Sequence, residues 1–130
     1  MVIGRESRYC DADATSKWAP VAITAPEHLV AIAQHALPDA TVLTIGTSAR
    51  VGGTSECDVE AMEGFAVLRA AQRADIPAIE VRAISNEIEE ADRRRWHFSD
   101  AFSAITHATP LLVEAMRAQF LHGPSGAPHA

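Results

Sequence analysis

The spacing of apolar positions changes along the chain between short continuous runs and helical periodicity, which is the pattern of an α/β domain. Residues 40–45 and 77–84 are apolar runs containing β-branched side chains, and they predict buried strands. Between them, residues 58–65 predict a short strand that leads directly into a helix extending to about Ala74. This strand–helix–strand order predicts parallel neighbouring strands joined by a right-handed crossover.

Two further helices are predicted from capping signals and apolar spacing. The first begins at residues 24–26, with Thr24 or Ala25 as the cap and Pro26 at the first helical position, and it ends at Leu37. The last is expected over residues 99–120. Pro110 lies inside it and is expected to kink the helix or split it in two, because proline has no backbone N–H to donate.

The two ends of the chain give few structural signals. Residues 1–20 are predicted to be a poorly structured arm, and residues 122–130, rich in glycine and proline, a disordered tail. The expected domain organisation is therefore one α/β domain over residues 21–121.

Composition and charge narrow the classes of function. With 130 residues, of which 48% are hydrophobic, the chain is large enough for one domain with a real core. A net charge of −6 argues against nucleic acid as a partner, since phosphate binding needs clustered Lys and Arg. No apolar run has membrane-spanning length and no signal peptide is evident, so no membrane association and a cytoplasmic location are expected.

The cysteines and the N-terminal acids give no strong indication of a site. Cys10 and Cys57 are expected to be free thiols of a reducing compartment rather than a disulfide. Asp11 and Asp13 are only two acids, which is weak evidence for a metal. No metal and no cofactor are therefore predicted.

Polar side chains at two strand ends are the strongest indication of function. Glu63 stands at the end of one predicted strand and in the first turn of a helix, where a carboxylate is favoured. Ser85 and Asn86 end the next strand, so all three share one rim if the strands are parallel neighbours. A carboxylate can accept both hydroxyls of a ribose cis-diol, an amide offers a donor and an acceptor, and Phe98 could stack on a base.

Each of these residues also has a purely structural interpretation. Glu63 could be a helix N-terminal acid, Asn86 a turn residue and Phe98 a core residue. The loop over residues 46–54 contains three glycines, which allow either a close approach to a ligand or a simple flexible connection. It lacks the Gly-Lys-Ser/Thr ending of a phosphate-binding loop. Position alone leaves a small α/β domain with an unknown ligand.

Taken together, residues 59–67 (VEAMEGFAV) and 81–86 (VRAISN) resemble the C-terminal half of the nucleoside phosphorylase and nucleosidase superfamily. The best match within it is the futalosine hydrolase family, which cleaves futalosine to hypoxanthine and dehypoxanthine futalosine in the alternative menaquinone pathway. The related methylthioadenosine/S-adenosylhomocysteine nucleosidases carry Ser-Asp where this chain has Ser85-Asn86. The resemblance covers roughly residues 40–120.

The resemblance implies a fold and a set of roles. The fold would be a partial three-layer α/β/α sandwich with a mostly parallel sheet. Glu63 and Asn86 would be the catalytic residues, with Glu63 on the ribose hydroxyls and Asn86 suiting hypoxanthine. The remaining substrate-binding positions would be Met62 at the ribose, Ser85 at the purine, Phe98 covering the ligand, and Ala49 and Val51 in a loop whose backbone touches the base.

The resemblance also leaves alternatives open. The family's N-terminal half, which carries the acid that activates water, has no visible counterpart, and Glu60 and Glu80 are the nearby candidates. The chain could be a nucleosidase, or a truncated, non-catalytic nucleoside-binding or structural remnant. A methylthioadenosine nucleosidase or a nucleoside phosphorylase is a further alternative, although only Arg50 and Arg82 could contribute to a phosphate site. A sheet missing strands leaves an apolar edge, which predicts a homo-oligomer.

Overall fold

The computed structural model describes residues 1–10, 21–52 and 57–121. These residues form a mixed five-stranded sheet with three α-helices. In chain order the elements are β1 (Val2–Tyr9), β2 (Ala22–Thr24), α1 (Glu27–Ala36), β3 (Thr41–Thr47), β4 (Val59–Ala61), α2 (Gly64–Arg73), β5 (Glu80–Arg82) and α3 (Phe98–Leu121), with a single 3₁₀ turn (Arg93–Arg95) before α3.

The sheet is organised around β1. On one side β1 pairs in parallel with β3, which pairs in parallel with β4. On its other side β1 pairs antiparallel with β5 near its start, where Ile3 faces Val81, and with β2 near its end, where Ser7 faces Ile23. The predicted α/β class and the resemblance to the nucleoside phosphorylase fold are confirmed.

Two sequence predictions are wrong because β1 was not recognised. Residues 2–9 are a central strand rather than part of a loose arm, and β5 is an antiparallel neighbour of β1 rather than a parallel neighbour of β4. β1 escaped detection because its second half is polar, with Arg5, Glu6, Ser7 and Arg8 in succession. The register also shifts between Gly4 and Glu6, which interrupts the alternation expected of a strand. The predictions for residues 11–20 and 122–130 lie outside the described residues.

The predicted helices are present, with differences at two prolines. Helix α1 ends at Ala36, one residue before the expected end at Leu37, and Pro26 is its N-cap residue rather than its first helical residue. Helix α3 continues through Pro110, so of the two expected outcomes, a kink or a split, the split into two helices is wrong. In the turn before the proline, the Thr109 hydroxyl donates to the Ile105 carbonyl oxygen at 2.7 Å.

The core lies on both faces of the sheet. Ile3 of β1 packs with Ala33 of α1 and Ala108 of α3, all nearly fully buried. Val2 points to the opposite face, because successive side chains of a strand alternate between faces. It packs with Ile45 of β3 and with two apolar side chains of β4. Helices α1 and α3 thus cover the Ile3 face, and the Val2 face supports the cleft described below. Within the described part of the chain, no helix combines the length and apolarity needed to cross a membrane.

Candidate active site

A cleft of about 910 Å³ opens beside the end of β4 and the segment that follows β5. Its lining includes six of the seven side chains singled out from the sequence: Val51, Met62, Glu63, Ser85, Asn86 and Phe98. Ala49 is exposed and does not belong to the lining. The side chains of Glu63, Ser85 and Asn86 therefore line one cleft. The strands that carry them are not the parallel neighbours that the sequence predicts.

Glu63 is positioned by the junction between β4 and α2. It is the N-cap residue of α2, and its carbonyl oxygen accepts the Ala66 N–H at 3.1 Å. The next turn is tied to β3, because the Phe65 N–H donates to the Thr47 hydroxyl at 2.9 Å. The Glu63 side chain remains 71% exposed, so its carboxylate is available at the rim of the cleft.

Arg82 lies between two carboxylates. Its Nε donates to Glu80 Oε1 at 2.7 Å, and its Nη2 is 3.7 Å from Glu63 Oε2. The Glu80 side chain is only 6% exposed and occupies the space that a side chain on Gly64 would need. Arg82 therefore divides its donors between the buried carboxylate of Glu80 and the exposed carboxylate of Glu63, and only the Glu63 carboxylate lines the cleft.

Ser85 and Asn86 form a local hydrogen-bonded unit that also lines the cleft. The Ser85 hydroxyl donates to Asn86 Oδ1 at 2.6 Å, and Asn86 Nδ2 donates to the Glu87 carbonyl oxygen at 2.8 Å. An amide has two N–H groups and two carbonyl lone pairs, so one donor and one acceptor remain for a ligand. The His97 N–H donates to the Ser85 carbonyl oxygen at 2.6 Å and fixes this turn against the start of α3.

An aromatic wall closes one side of the cleft. The rings of Trp96 and Phe98 have centroids 5.3 Å apart at an interplanar angle of 53°, and Phe98 is 47% exposed. Trp96 is held by its Nε1–H, which donates to the Glu90 carbonyl oxygen at 2.9 Å, and the Arg93 guanidinium lies over its ring. Trp96 was missed as a cleft residue because residues 86–96 are acidic and then basic, a pattern that predicts an exposed loop or a short helix.

In the loop before the aromatic wall, the pKa of Asp92 lies below its usual value. The Arg94 side chain donates to the carboxylate of Asp92, and so does the Arg94 backbone N–H, which together lower the pKa of Asp92. Both residues lie on the surface and neither lines the cleft. This pair therefore shapes the loop and does not take part in cleft chemistry.

Glu60 and Glu80, considered as water-activating acids, occupy different places. Glu60 lines the cleft, and its Oε1 accepts the Gly52 N–H at 2.9 Å. Glu80 is buried against Gly64 and is not part of the lining. Asp58 and Glu87 also line the cleft and add to its acidic character. In the described part of the chain, no group of three or more His, Cys, Asp or Glu side chains could hold a metal ion.

The glycine-containing loop after β3 is anchored at its start. The Ser48 N–H donates to the Ala61 carbonyl oxygen at 3.0 Å, and the Ser48 hydroxyl donates to the Arg50 carbonyl oxygen at 2.8 Å. Gly52 has a φ of 78°, a conformation that glycine adopts without strain. Val51 lines the cleft, while the part of the loop over residues 53–56 lies outside the described chain.

Comparison with known proteins places this geometry in context. No protein-family model matches the chain. Futalosine hydrolase of Streptomyces coelicolor (strain ATCC BAA-471 / A3(2) / M145) is 38% identical over 84 residues, which cover 58% of this chain and 36% of that protein. Futalosine hydrolase of Acidothermus cellulolyticus (strain ATCC 43068 / DSM 8971 / 11B) is 43% identical over 56 residues, covering 43% of this chain and 23% of that protein. The matched region thus spans about a third or less of these curated relatives.

Solved structures agree on the fold. The methylthioadenosine/S-adenosylhomocysteine nucleosidase of Streptococcus pneumoniae, in complex with 8-aminoadenine, superposes with a TM-score of 0.73 at 20% identity, over 88% of this chain and 60% of that one. The corresponding nucleosidase of Colwellia psychrerythraea, in complex with adenine, gives a TM-score of 0.72 at 20% identity, over 91% of this chain and 58% of that one. The chain is therefore similar in sequence to part of futalosine hydrolase, as its motifs predicted, and it has the α/β fold of the methylthioadenosine/S-adenosylhomocysteine nucleosidases of the nucleoside phosphorylase superfamily.

Proposed function

We propose that the cleft binds a purine nucleoside and serves N-ribosyl hydrolysis of the futalosine hydrolase type. The reaction would convert futalosine and water to hypoxanthine and dehypoxanthine futalosine, a step of menaquinone biosynthesis. The observation that carries the proposal is that Glu63 and Asn86 line one cleft beside the ring of Phe98. The sequence similarity to two futalosine hydrolases supports it.

The role of Glu63 is to bind the ribose and to stabilise charge. Its carboxylate can accept both hydroxyls of the cis-diol. When the N-glycosidic bond breaks, the ribosyl group becomes cation-like, and a nearby negative charge lowers the energy of that state. The ion pair between Arg82 and Glu80 supports this role, because it keeps the arginine from neutralising Glu63 completely. Met62, half exposed beside Glu63, would line the ribose site.

The role of Asn86 is to recognise a 6-oxopurine. Its remaining amide N–H can donate to O6 or N7 of hypoxanthine, and its orientation is fixed by Ser85. Phe98 would cover the base, with Trp96 behind it. Val51 would touch the base from the loop after β3, whereas Ala49, outside the lining, would contribute only through the backbone of that loop.

Hydrolysis by the Glu63→Gln variant tests the catalytic role. Glutamine keeps the size of the side chain but removes the negative charge, so hypoxanthine release from futalosine should fall by about 10²-fold or more. Glu87→Gln is the matched control, because Glu87 also lines the cleft but has no assigned role in the reaction. Equal turnover in the native chain and in Glu63→Gln would exclude the assigned role.

The Asn86→Asp variant tests base recognition. An ionised aspartate cannot donate to O6 or N7, so binding of hypoxanthine should weaken by about 10-fold or more, while adenine, which offers an amino group, should be favoured. Binding constants for the two bases, measured for both proteins, give the preference directly. An unchanged ratio of the two constants would count against this role.

A non-catalytic nucleoside-binding module is the second candidate, and the positions of two acids favour it. Glu80 is buried outside the cleft lining, and Glu60 accepts a backbone N–H, so neither stands ready to activate water. This alternative predicts that hypoxanthine binds while futalosine is not hydrolysed. A nucleoside phosphorylase is less well supported, because Arg82 is engaged by two carboxylates and would meet phosphate only after leaving them.

The proposal also includes the setting in which the chain acts. Two free cysteines are typical of proteins in a reducing compartment, which supports the cytoplasm. Large apolar side chains exposed on α3 support a homo-oligomer. The small-molecule partner would be a purine nucleoside, with neither nucleic acid nor membrane involved.

A further inference from the structure

A pair of thiols lies near the cleft and has no part in the chemistry proposed above. Cys10 directly follows the last residue of β1, and Cys57 stands two residues before the start of β4. Their sulfur atoms are 3.6 Å apart, although 47 positions separate the residues in the sequence. Both cysteines are free, and because both are only half-buried, their thiols are partly accessible to small molecules.

The surrounding backbone leaves room for a covalent bond. A disulfide has a sulfur–sulfur distance of about 2.05 Å, so the two atoms need to approach by about 1.5 Å. The Cys10 N–H donates to the Thr47 carbonyl oxygen at 3.0 Å, which holds Cys10 at the end of the sheet. Cys57 lies in a bend outside the strand ladder, so the approach can come from its side without breaking a strand pair.

The environment of Cys57 disfavours its thiolate. Burial, followed by the hydrogen bond with Cys10 and the charge of that thiolate, raises the pKa of Cys57 to about 11. The negative charge of Asp58 also raises the pKa of Cys57, whereas the positive charge of Arg8 lowers it. At neutral pH Cys57 is therefore protonated, and oxidation proceeds through the small thiolate fraction.

We propose that Cys10 and Cys57 are an oxidation site at which a low-molecular-weight disulfide, such as glutathione disulfide, forms a reversible intramolecular disulfide. One thiolate attacks a sulfur of the oxidant, which gives a mixed disulfide and releases one thiol. The second thiolate then attacks the protein sulfur of that mixed disulfide and releases the second thiol. The two protein thiols are oxidised, one molecule of oxidant is reduced to two thiols, and the two protons end on the released thiols.

The cross-link would constrain one wall of the cleft. Cys57 is followed directly by Asp58, Val59 and Glu60, all of which line the cleft. The disulfide would join this segment to the end of β1, across the end of β3. It would also close a loop of 47 positions in the unfolded chain, and closing a loop of that length stabilises the folded state. Oxidation should therefore shift the urea unfolding midpoint upward.

Intact-mass measurement tests the site directly. The folded chain is equilibrated with glutathione disulfide, excess N-ethylmaleimide is added to block remaining thiols, and the mass is recorded. The expected product has lost two hydrogen masses, carries no maleimide and no glutathione, and forms equally well at low and high protein concentration. Treatment with dithiothreitol should restore a chain that takes up two maleimides.

Two single variants and the unfolding midpoint complete the test. Cys10→Ser and Cys57→Ser each keep one thiol, so each should give either one glutathione adduct or one maleimide adduct and no rise in midpoint on oxidation. The proposal is overturned if the native chain carries two glutathiones or forms disulfide-linked dimers. It is equally overturned if both thiols stay reduced in the folded chain while urea-unfolded protein oxidises under the same conditions.

Discussion

Gly64 illustrates how one residue connects the fold to the site. It is the first residue of α2, and a Cβ atom at this position would meet the buried carboxylate of Glu80. Glu80 is held in turn by Arg82, whose other end approaches Glu63. A side chain at residue 64 would therefore disturb the groups that set the charge at the rim of the cleft.

The Gly64→Ala variant should be less stable by about 1–2 kcal/mol. Displacing Glu80 breaks its charge-assisted hydrogen bond with Arg82, which contributes about 1.5–3 kcal/mol to stability. Alanine offsets up to about 1 kcal/mol of this loss, because its helix propensity is higher than that of glycine. Urea unfolding of the native chain and of the variant measures the difference. Combining Gly64→Ala with Glu80→Ala should cost less than the sum of the two single changes, because the clash is then absent. A Gly64→Ala chain as stable as the native one would contradict this packing.

The pKa of Cys57 gives a second prediction at the residue scale. The pKa of this thiol is about 11 in the folded chain and 9.0 in the unfolded chain. The folded state therefore holds the proton more tightly, and the resulting stabilisation is complete below pH 9.0 and is lost as the pH rises through 11. Alkylation of Cys57 in the native chain should therefore keep accelerating to about pH 11. In Cys10→Ser the pKa should fall part of the way to 9.0, since burial, the largest cause, remains. Peptide-resolved mass spectrometry measures both rates, and a native rate that levels off near pH 9 would contradict the assignment.

Single residues also show what sequence reasoning could reach at the site. The sequence indicates Glu63, Ser85 and Asn86 because they end two neighbouring apolar runs and because their motifs resemble a known family. Glu80 was only a candidate acid, since its burial depends on the missing side chain of Gly64, a contact between distant elements. Trp96 became part of the cleft through a hydrogen bond to Glu90 that no local pattern indicates.

At the scale of elements, the helices were predictable and the sheet was not. Helices α1 and α2 follow from apolar spacing and from the prolines beyond their ends. The central strand β1 could not be predicted, because four polar residues in succession occupy its second half. Without β1, the sequence predicts β4 and β5 as neighbours, although β1 and β3 lie between them. Strand order is fixed by pairings between distant residues, which local propensity does not encode.

Helix α3 supplies the prediction at this scale. Pro110 stands inside a continuous helix and cannot donate a backbone hydrogen bond to the preceding turn. Pro110→Ala restores that donor and should raise the free energy of unfolding by about 1–3 kcal/mol. Thermal unfolding measures the change, with His107→Ala, at an exposed position of the same helix, as the control that should shift little. A Pro110→Ala chain that unfolds at a lower temperature would show that the proline fits a bend that the packing requires.

At the scale of the whole molecule, the surface of α3 is unusually apolar. Phe102 is 68% exposed, Val113 61% and Phe120 74%. Apolar side chains at this density favour association, so the expected homo-oligomer should have a sedimentation mass that exceeds 13.9 kDa and rises with concentration. The pair of changes Phe102→Ser and Phe120→Ser should return the mass to that of one chain. A native chain that stays monomeric at all concentrations would contradict the prediction.

The most direct test of the account is where, and how selectively, the chain binds a purine base. Backbone amide signals would be followed by NMR while hypoxanthine or adenine is added to the native chain and to Asn86→Asp. The account predicts that hypoxanthine shifts the signals of Glu63, Ser85 and Asn86, that adenine binds more weakly, and that Asn86→Asp reverses this order. Shifts confined to residues outside the cleft, or the same preference in both proteins, would contradict the central claim that this cleft recognises a 6-oxopurine nucleoside.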